Sequence, residues 1–232
     1  MKRVPGLDLP IHSIFCIGRN YAEHARELGN TLPDEPVVFL KPLSAICSSG
    51  TTVRIPNWVG RVDHEVELVV AISKSGKNIP EDEALSYVGG YGIGLDLTAR
   101  DIQNKAKQKL LPWTVAKGFD DFAPIGNFVG SGSFPLEQSL NPSHFELKLE
   151  IDGKTLQVGR TQDMQFSVPK IISYLSNIFT LNPGDLIFTG TPSGVGPIED
   201  GAHLVAALSG SDQGDQKERK ILSGLEITVC RT

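Results

Sequence analysis

The segment from His64 to Ile72 constrains the fold most, because it has the composition of a buried strand and begins with two acidic residues. Residues two apart in a strand point to the same face, so the carboxylates of Glu65 and Glu67 converge on one spot, roughly 6.5–7 Å apart along the strand. Two like charges so close raise each other's pKa unless a cation compensates. The pattern therefore predicts either a water-facing rim or a site for a hard cation such as Mg²⁺, which binds carboxylate oxygens.

A second apolar run ends in another acidic residue. Residues 87–95 contain four glycines, which let backbones approach closely, and Asp96 follows them directly. This position makes Asp96 a candidate third ligand. Three carboxylates form an oxygen site that suits Mg, Ca or Mn better than zinc.

Composition limits the class of protein. The 232 residues, with 40% hydrophobic residues, 21% charged residues and a net charge of −5, predict one soluble globular domain. The negative charge argues against binding to nucleic acid or to an anionic membrane, and no apolar run is long enough to span a bilayer. Residues 1–11 form a tail without the apolar core of a signal peptide, and the three cysteines are widely spaced. We therefore expect a cytoplasmic protein with reduced core thiols.

Short strands dominate the predicted elements. The pattern predicts strands at 13–18, 37–40, 50–55, 145–151, 154–158, 186–189 and 221–229, and helices at about 19–28, 99–111 and 168–179. The dipeptide Asp152-Gly153 predicts a hairpin turn. We expect residues 209–220 to form an exposed polar loop before the last strand. In the second helix a basic outer face is expected, made by Arg100, Lys105, Lys107 and Lys109.

Six blocks in a fixed order carry a family resemblance. They are Gly18-Arg19-Asn20-Tyr21 with His24 and Glu27, Lys41-Pro42, His64-Glu65-Val66-Glu67-Leu68, Asp96 with Ala99-Arg100-Asp101-Ile102-Gln103, Ala116-Lys117-Gly118-Phe119-Asp120, and Thr189-Gly190-Thr191-Pro192. Together they resemble the fumarylacetoacetate hydrolase family, from about residue 12 to the last strand. The compact length and the His-x-x-Glu pair are similar to its acylpyruvate hydrolase and oxaloacetate-processing branch.

The resemblance implies a fold and a cofactor. The fold is a β-rich α+β mixed β-sandwich roll, of the type of the family's C-terminal domain, in one catalytic domain at 12–232 with a lid segment at about 19–36. A homodimer is implied as well. Mg²⁺, or alternatively Mn²⁺ or Ca²⁺, is implied as the ion that Glu65, Glu67 and Asp96 hold.

The resemblance also suggests roles for other residues. His24 is the candidate base, and Glu27, three residues away on the same helix face, would orient it. The residues implied near the substrate are Lys117, beside a developing oxyanion, and Gln103, Thr191, Arg19 and Lys41. Arg19 could instead anchor the lid and Lys41 could orient the His24–Glu27 pair, and surface salt bridges explain both residues equally well. His64 faces away from Glu65 by alternation, which indicates a structural role.

Several reactions on a 2-oxo acid are compatible with such a site. The first predicted reaction is hydrolysis of a C–C bond in acylpyruvates, such as acetylpyruvate or fumarylpyruvate. It would proceed through a pyruvate enolate whose negative charge the metal stabilises. The alternatives are oxaloacetate tautomerisation or decarboxylation, and isomerisation of the 2-hydroxyhepta-2,4-diene-1,7-dioate type. A non-catalytic module that binds metal or ligand is a further alternative, because fold does not imply activity.

Overall fold

The computed structural model describes residues 2–27, 32–132, 142–211 and 219–232, without the side chains of residues 24–26 and 211. Its helices are α1 Ala22–Glu27, α2 Arg100–Gln108, α3 Thr114–Lys117 and α4 Val168–Ile178. Its strands are β1 Ile14–Gly18, β2 Val37–Lys41, β3 Ile46–Ser48, β4 Thr52–Ile55, β5 Val62–His64, β6 Val66–Ile72, β7 Val88–Leu95, β8 Thr98–Ala99, β9 Ala123–Ile125, β10 Val129–Gly130, β11 Phe145–Ile151, β12 Lys154–Arg160, β13 Leu186–Phe188, β14 Gly196–Pro197, β15 His203–Ser211 and β16 Arg219–Arg231.

An eight-stranded mixed sheet forms the centre of the molecule. Its order is β2-β1-β13-β6-β7-β9-β3, with β10 paired to β7. Strand β6 is buried on both faces, since Val66 and Leu68 pack in one apolar cluster whereas Val69 and Ala71 pack in another. This double burial explains why the strand is apolar throughout after its acidic start.

A five-stranded sheet, in the order β12-β11-β15-β16-β4, packs over one face of the central sheet. Its hairpin β11–β12 turns at Asp152-Gly153, where both residues have positive φ, as the sequence predicts. A small sheet, β14-β5-β8, leads the chain into Glu65. The structure is the β-rich α+β roll expected from the sequence.

The N-terminal residues pack against the central sheet. Arg3 and Pro10 form a β-bridge, and the side chains of Val4 and Ile11 are buried in the second cluster. Cys16 and Cys47 are buried free thiols, and burial raises the pKa of Cys47 to about 12. Among the described residues, no helix has the length and apolar character needed to cross a membrane.

The predicted loop at 209–220 is shorter in the structure. Ser209 to Ser211 continue β15, and β16 already begins at Arg219. Residues 212–218 lie outside the described part of the chain. The strands extend because backbone pairing between β15 and β16 continues as far as Ser211 and Arg219.

Candidate active site

The register of two antiparallel strands brings the three predicted metal ligands together. Glu67 lies in β6, Glu65 directly precedes it, and Asp96 directly follows β7. Val66 pairs with Leu95, and the Asp96 backbone N–H donates to the Glu65 carbonyl at 2.8 Å. All three side chains are buried, and one carboxylate oxygen from each lies within 4.8 Å of the others. The donor set therefore fits a hard divalent cation.

Basic side chains neutralise two of the three carboxylates. Lys117 Nζ lies 2.7 Å from Glu65 Oε2 and 2.5 Å from Asp96 Oδ2. Arg100 Nη2 adds a second contact to Glu65, at 2.5 Å. These contacts are almost completely buried, so each one compensates a charge that would be costly without a partner.

Glu67 differs from the other two carboxylates because no described basic residue forms an ion pair with it. Its Oε2 accepts a hydrogen bond from the backbone N–H of Gly190 at 2.7 Å. Gly190 has φ +97°, and a Cβ there would lie 2.7 Å from Asn20 Cβ, so this close approach requires glycine. Burial raises the pKa of Glu67 well above its ordinary value, and the charges of Asp96 and Glu65 raise it further. A divalent cation would relieve this repulsion, which supports the fit of a metal to the three residues.

Lys117 remains a cation in this environment. Burial alone would lower its pKa, but the charges of Asp96 and Glu65 outweigh burial and raise the pKa. Its Nζ also lies 5.1 Å from the centre of the Phe39 ring. Lys117 can therefore stabilise negative charge or donate a proton in a hydrogen bond, but it is a poor base.

Lys41 does not occupy the substrate-binding position that the sequence suggests. Its side chain is fully buried, and its Nζ lies 2.7 Å from Asp96 Oδ1. The same ammonium donates to the carbonyls of Leu97, Lys117 and Phe122 at 2.5–3.1 Å. The three carbonyls use its three protons, and the ion pair with Asp96 stabilises that carboxylate from the side away from the cavity. The alternative of a surface salt bridge is wrong, because the side chain is not at the surface.

The basic outer face predicted for α2 is also wrong in part. Lys105 and Lys109 are exposed, but Arg100 is buried and binds Asp63 and Glu65. Arg100 Nη1 donates to Gln103 Oε1 at 2.5 Å, which leaves the Gln103 amide NH₂ available as a donor. Arg100, Gln103 and Lys107 all line the cavity beside the carboxylates. Their spacing of three and four residues places them on one helix face, which is a signal that the sequence contained.

Thr191 lines the same cavity, and a buried glutamine fixes the direction of its hydroxyl. Gln157 Nε2 donates to Thr191 Oγ1 and to the Pro192 carbonyl, both at 2.9 Å, while its Oε1 accepts from the Val66 N–H at 3.1 Å. Because Thr191 accepts from Gln157, its own proton can point into the cavity. No local pattern in the sequence indicated this role for Gln157.

His64 has a structural position, in agreement with the strand alternation. Its Nδ1 lies 2.9 Å from Gln157 Oε1, which can only accept, so Nδ1 carries the proton. Burial lowers the His64 pKa, and the ring is therefore neutral. The sequence-based interpretation of His64 as a residue that does not bind metal is consistent with this arrangement.

Arg19 reaches the cavity through a constrained turn. It has φ +59°, an uncommon conformation for a residue other than glycine, and it is half-buried against the cavity. The adjacent Asn20 holds this turn, because its side chain bonds the backbone of Phe166 and the carbonyl of Thr189. Strained backbone of this kind is often found at functional sites.

The predicted His24–Glu27 pair can be placed only in part. Both residues belong to α1, but the His24 side chain lies outside the described residues. The Glu27 carboxylate accepts from the Gly194 N–H at 3.2 Å. Helix α1 therefore contacts the loop after β13, which also carries Thr191.

The site therefore combines a three-carboxylate cluster, which could hold a metal ion, with a cavity lined by Arg19, Arg100, Gln103, Lys107, Lys117 and Thr191. Residues 13–227 match the family model described as Fumarylacetoacetate (FAA) hydrolase C-terminal. The chain belongs to this family, which confirms the resemblance found in the sequence.

Named relatives in this family are enzymes that act on small oxo acids. The chain is 49% identical over 197 residues to the mitochondrial oxaloacetate tautomerase of Arabidopsis thaliana, covering 85% of this chain and 86% of the relative. It is 46% identical over 200 residues to the mitochondrial oxaloacetate decarboxylase of Dictyostelium discoideum, covering 86% and 89% of the two chains. The solved structure of fumarylpyruvate hydrolase from Pseudomonas aeruginosa, in complex with Mn²⁺ and pyruvate, is 37% identical with a TM-score of 0.85, covering 99% and 95%.

Proposed function

We propose that this protein catalyses the keto–enol tautomerisation of oxaloacetate with a bound Mg²⁺ ion. The observation that carries the proposal is the cluster of Glu65, Glu67 and Asp96 within 4.8 Å, in contact with the ammonium of Lys117. The identity of 49% to an oxaloacetate tautomerase supports this choice of reaction. Mn²⁺ is the alternative ion, as in the related hydrolase structure.

The residues around the cluster suit a substrate rich in acceptor oxygens. Tautomerisation removes a proton from C3 of oxaloacetate and adds a proton to the C2 oxygen. Lys117 stabilises negative charge as it develops on that oxygen, while the Gln103 amide and the Thr191 hydroxyl donate to carboxylate oxygens. A bound Mg²⁺ would supply Lewis-acid polarisation of the keto group. Arg19 is half-buried at the same cavity and contributes positive charge.

Hydrolysis of acylpyruvates is the second candidate function. The contact between Glu27 and Gly194 favours it, because it places α1 against the loop that bears Thr191. His24 would then act as the base that activates water, with Glu27 as its orienting carboxylate. In that case His24→Ala abolishes hydrolysis of acetylpyruvate while calorimetry still detects metal binding. Retained hydrolysis would remove His24 from this role.

An assay with two substrates distinguishes the candidates. Purified protein with Mg²⁺ or Mn²⁺ is mixed with enol-oxaloacetate, and loss of the enol is followed by ultraviolet absorbance against a metal-only blank. Acetylpyruvate is assayed in parallel, and pyruvate release from oxaloacetate is measured to detect decarboxylation. We expect the enol to disappear faster than in the metal-only blank, without formation of pyruvate. Lys117→Met should lower kcat by a factor of about 10²–10³. Lys105→Met, at an exposed lysine, is the matched control and keeps full activity.

Each result of this assay has a clear consequence. Pyruvate formation at the rate of enol loss would replace tautomerisation with decarboxylation. Turnover of acetylpyruvate alone would replace it with C–C hydrolysis. Rates equal to the metal-only blank on both substrates would favour the non-catalytic module.

The proposal extends to assembly and location. The protein forms a homodimer and acts in the cytoplasm as one catalytic domain at 12–232. Support for the dimer comes from an exposed apolar groove between residues 37–42 and 111–114, where Leu40 and Leu111 are about half exposed.

A further inference from the structure

The cavity has two groups of polar side chains that differ in burial. Lys117, Gln103 and Thr191 are buried next to the carboxylates. Arg19 and Lys107 also line the cavity but are half-buried, beside the partly exposed ring of Trp113. The difference in burial places this second group at the mouth of the cavity.

The charged groups of both residues at the mouth lack a direct polar partner. Neither the Arg19 guanidinium nor the Lys107 ammonium makes a side-chain hydrogen bond or an ion pair with any residue in the described ranges. Arg100, which is close by, is already paired with Asp63 and Glu65. Burial lowers the pKa of Lys107, the charges of Arg100 and Arg19 lower it further, and the charge of Glu65 offsets these effects only in part. Two such cations at one opening would be stabilised by an incoming anion.

Local packing directs the Lys107 ammonium toward this opening. Its Nζ lies 5.5 Å from the centre of the Trp113 ring, within the range of a cation–π contact. The Trp113 ring is itself held edge-on against Phe39, with ring centres 5.7 Å apart. On α2, Lys107 lies four residues after Gln103 and therefore on the same face, whereas Lys105 is exposed.

We propose that Lys107 and Arg19 bind the second carboxylate of a 2-oxo dicarboxylic acid and so select dicarboxylates over 2-oxo acids with an uncharged distal group. This inference rests on the proposed function, because the keto acid end of the ligand is assigned to the carboxylate centre. A guanidinium can bind a carboxylate through two parallel hydrogen bonds, and the lysine adds a point charge. Lys107 is therefore a residue that determines specificity.

Lys107→Gln tests this role with two ligands that differ in the distal carboxylate. Dissociation constants of oxaloacetate and pyruvate for the Mn²⁺-loaded protein are measured by calorimetry, together with kcat and KM for oxaloacetate. We expect Lys107→Gln to weaken oxaloacetate binding and raise KM by about tenfold, while pyruvate binding and kcat change less than about twofold. Lys107→Arg should restore most of the affinity. Lys105→Gln, which removes the same charge from the exposed side of the helix, should change nothing.

Other outcomes overturn the assignment. Equal weakening of pyruvate and oxaloacetate would show that Lys107 acts on the whole site, and unchanged oxaloacetate binding would show that it does not contact the ligand. Failure of the proposed function would give a different result. The wild-type protein would not turn over oxaloacetate, although Lys107→Gln could still weaken oxaloacetate binding selectively.

Discussion

Glu65 and Glu67 are the same residue type two positions apart, but their carboxylates have different partners in the fold. Glu65 lies against Arg100 and Lys117, whereas Glu67 accepts a backbone N–H and has no ion pair with a described basic residue. Removing one partner of a buried ion pair leaves a charge without compensation, but removing an uncompensated charge relieves repulsion. The two glutamates should therefore affect the metal-free protein in opposite directions.

Glu67→Gln should weaken metal binding and leave the metal-free protein at least as stable at neutral pH. Because the pKa of Glu67 is raised in the folded state, its ionised form costs free energy on folding, and glutamine avoids that cost. In the wild type, Mg²⁺ or Mn²⁺ at 100 times its dissociation constant should add about 2.7 kcal/mol to the free energy of unfolding. Urea unfolding with and without metal measures both effects.

Glu65→Gln is the matched variant for this experiment. It should also lose metal binding, but it should destabilise the metal-free protein by about 1.5–3 kcal/mol because Arg100 and Lys117 each lose one of their two carboxylate partners. Equal effects of the two variants on the metal-free protein would contradict the difference in compensation. An unchanged metal affinity in Glu67→Gln would remove Glu67 from the ligand set.

Alternation along a strand was enough to predict that Glu65 and Glu67 share a face, because it depends only on local geometry. Asp96 was predicted instead from its position at the end of a second apolar run. Burial of the lysines could not be predicted in the same way. Lys41 and Lys107 are lysines like the exposed Lys105. Only tertiary packing places Lys41 against Asp96 and Lys107 at the cavity. The i, i+3, i+7 spacing of Arg100, Gln103 and Lys107 predicts that they share one face of α2. The charges of Arg100 and Lys107, however, favoured the prediction that this face is exposed to solvent.

At the scale of secondary structure, one glutamine connects three elements of the site. Gln157 in β12 accepts from the Val66 N–H in β6, between Glu65 and Glu67, and donates to Thr191 and Pro192 in the loop after β13. All of its donors and acceptors are used, and its side chain is buried. A satisfied buried amide of this kind fixes the relative position of the elements that it joins.

Gln157→Leu should destabilise the protein and lower its affinity for substrate. The substitution leaves the Val66 N–H and the Pro192 carbonyl without their partner, at about 1–3 kcal/mol for each buried group. It also frees the Thr191 hydroxyl to rotate, so KM should rise together with the loss of stability. Urea unfolding and steady-state kinetics measure the two effects. Gln162→Leu changes an exposed glutamine and serves as the control; a stability of Gln157→Leu equal to this control would show that the link is weak.

Elements with a local signal were predicted well from the sequence. The Asp152-Gly153 turn fixes the β11–β12 hairpin, and the apolar spacing of the fourth helix was correct to within one residue, at Val168–Ile178. Pairings between distant segments had no such signal. Strand β1 pairs in parallel with β13, and β4 with β16, through contacts that no local pattern encodes. The link through Gln157 belongs to this second kind.

At the scale of the whole molecule, one edge of the central sheet remains open in the described part of the chain. Strand β2 pairs with β1 on one side, and no described strand covers its other side. Exposed apolar side chains surround this edge, namely Leu40 at 47%, Leu111 at 55% and Val115 at 67% exposure. Open edges and apolar patches of this kind promote association between chains. A two-fold axis at this edge would bring the same surface of a second copy against it, so that both copies would contribute the same residues to the interface.

We therefore expect light scattering after size exclusion to give twice the mass of the 25.1 kDa chain. Leu40→Asp combined with Val115→Asp should shift the protein toward monomer, because each change buries a charge at the apolar contact of the dimer. Val158→Asp replaces a valine that is 51% exposed on β12, which belongs to the five-stranded sheet and not to the sheet of β2, and should leave the dimer intact. A double variant that stays dimeric would place the interface on another face. A wild-type mass of one chain at micromolar concentration would refute the dimer itself, and the exposed groove would then need a different partner.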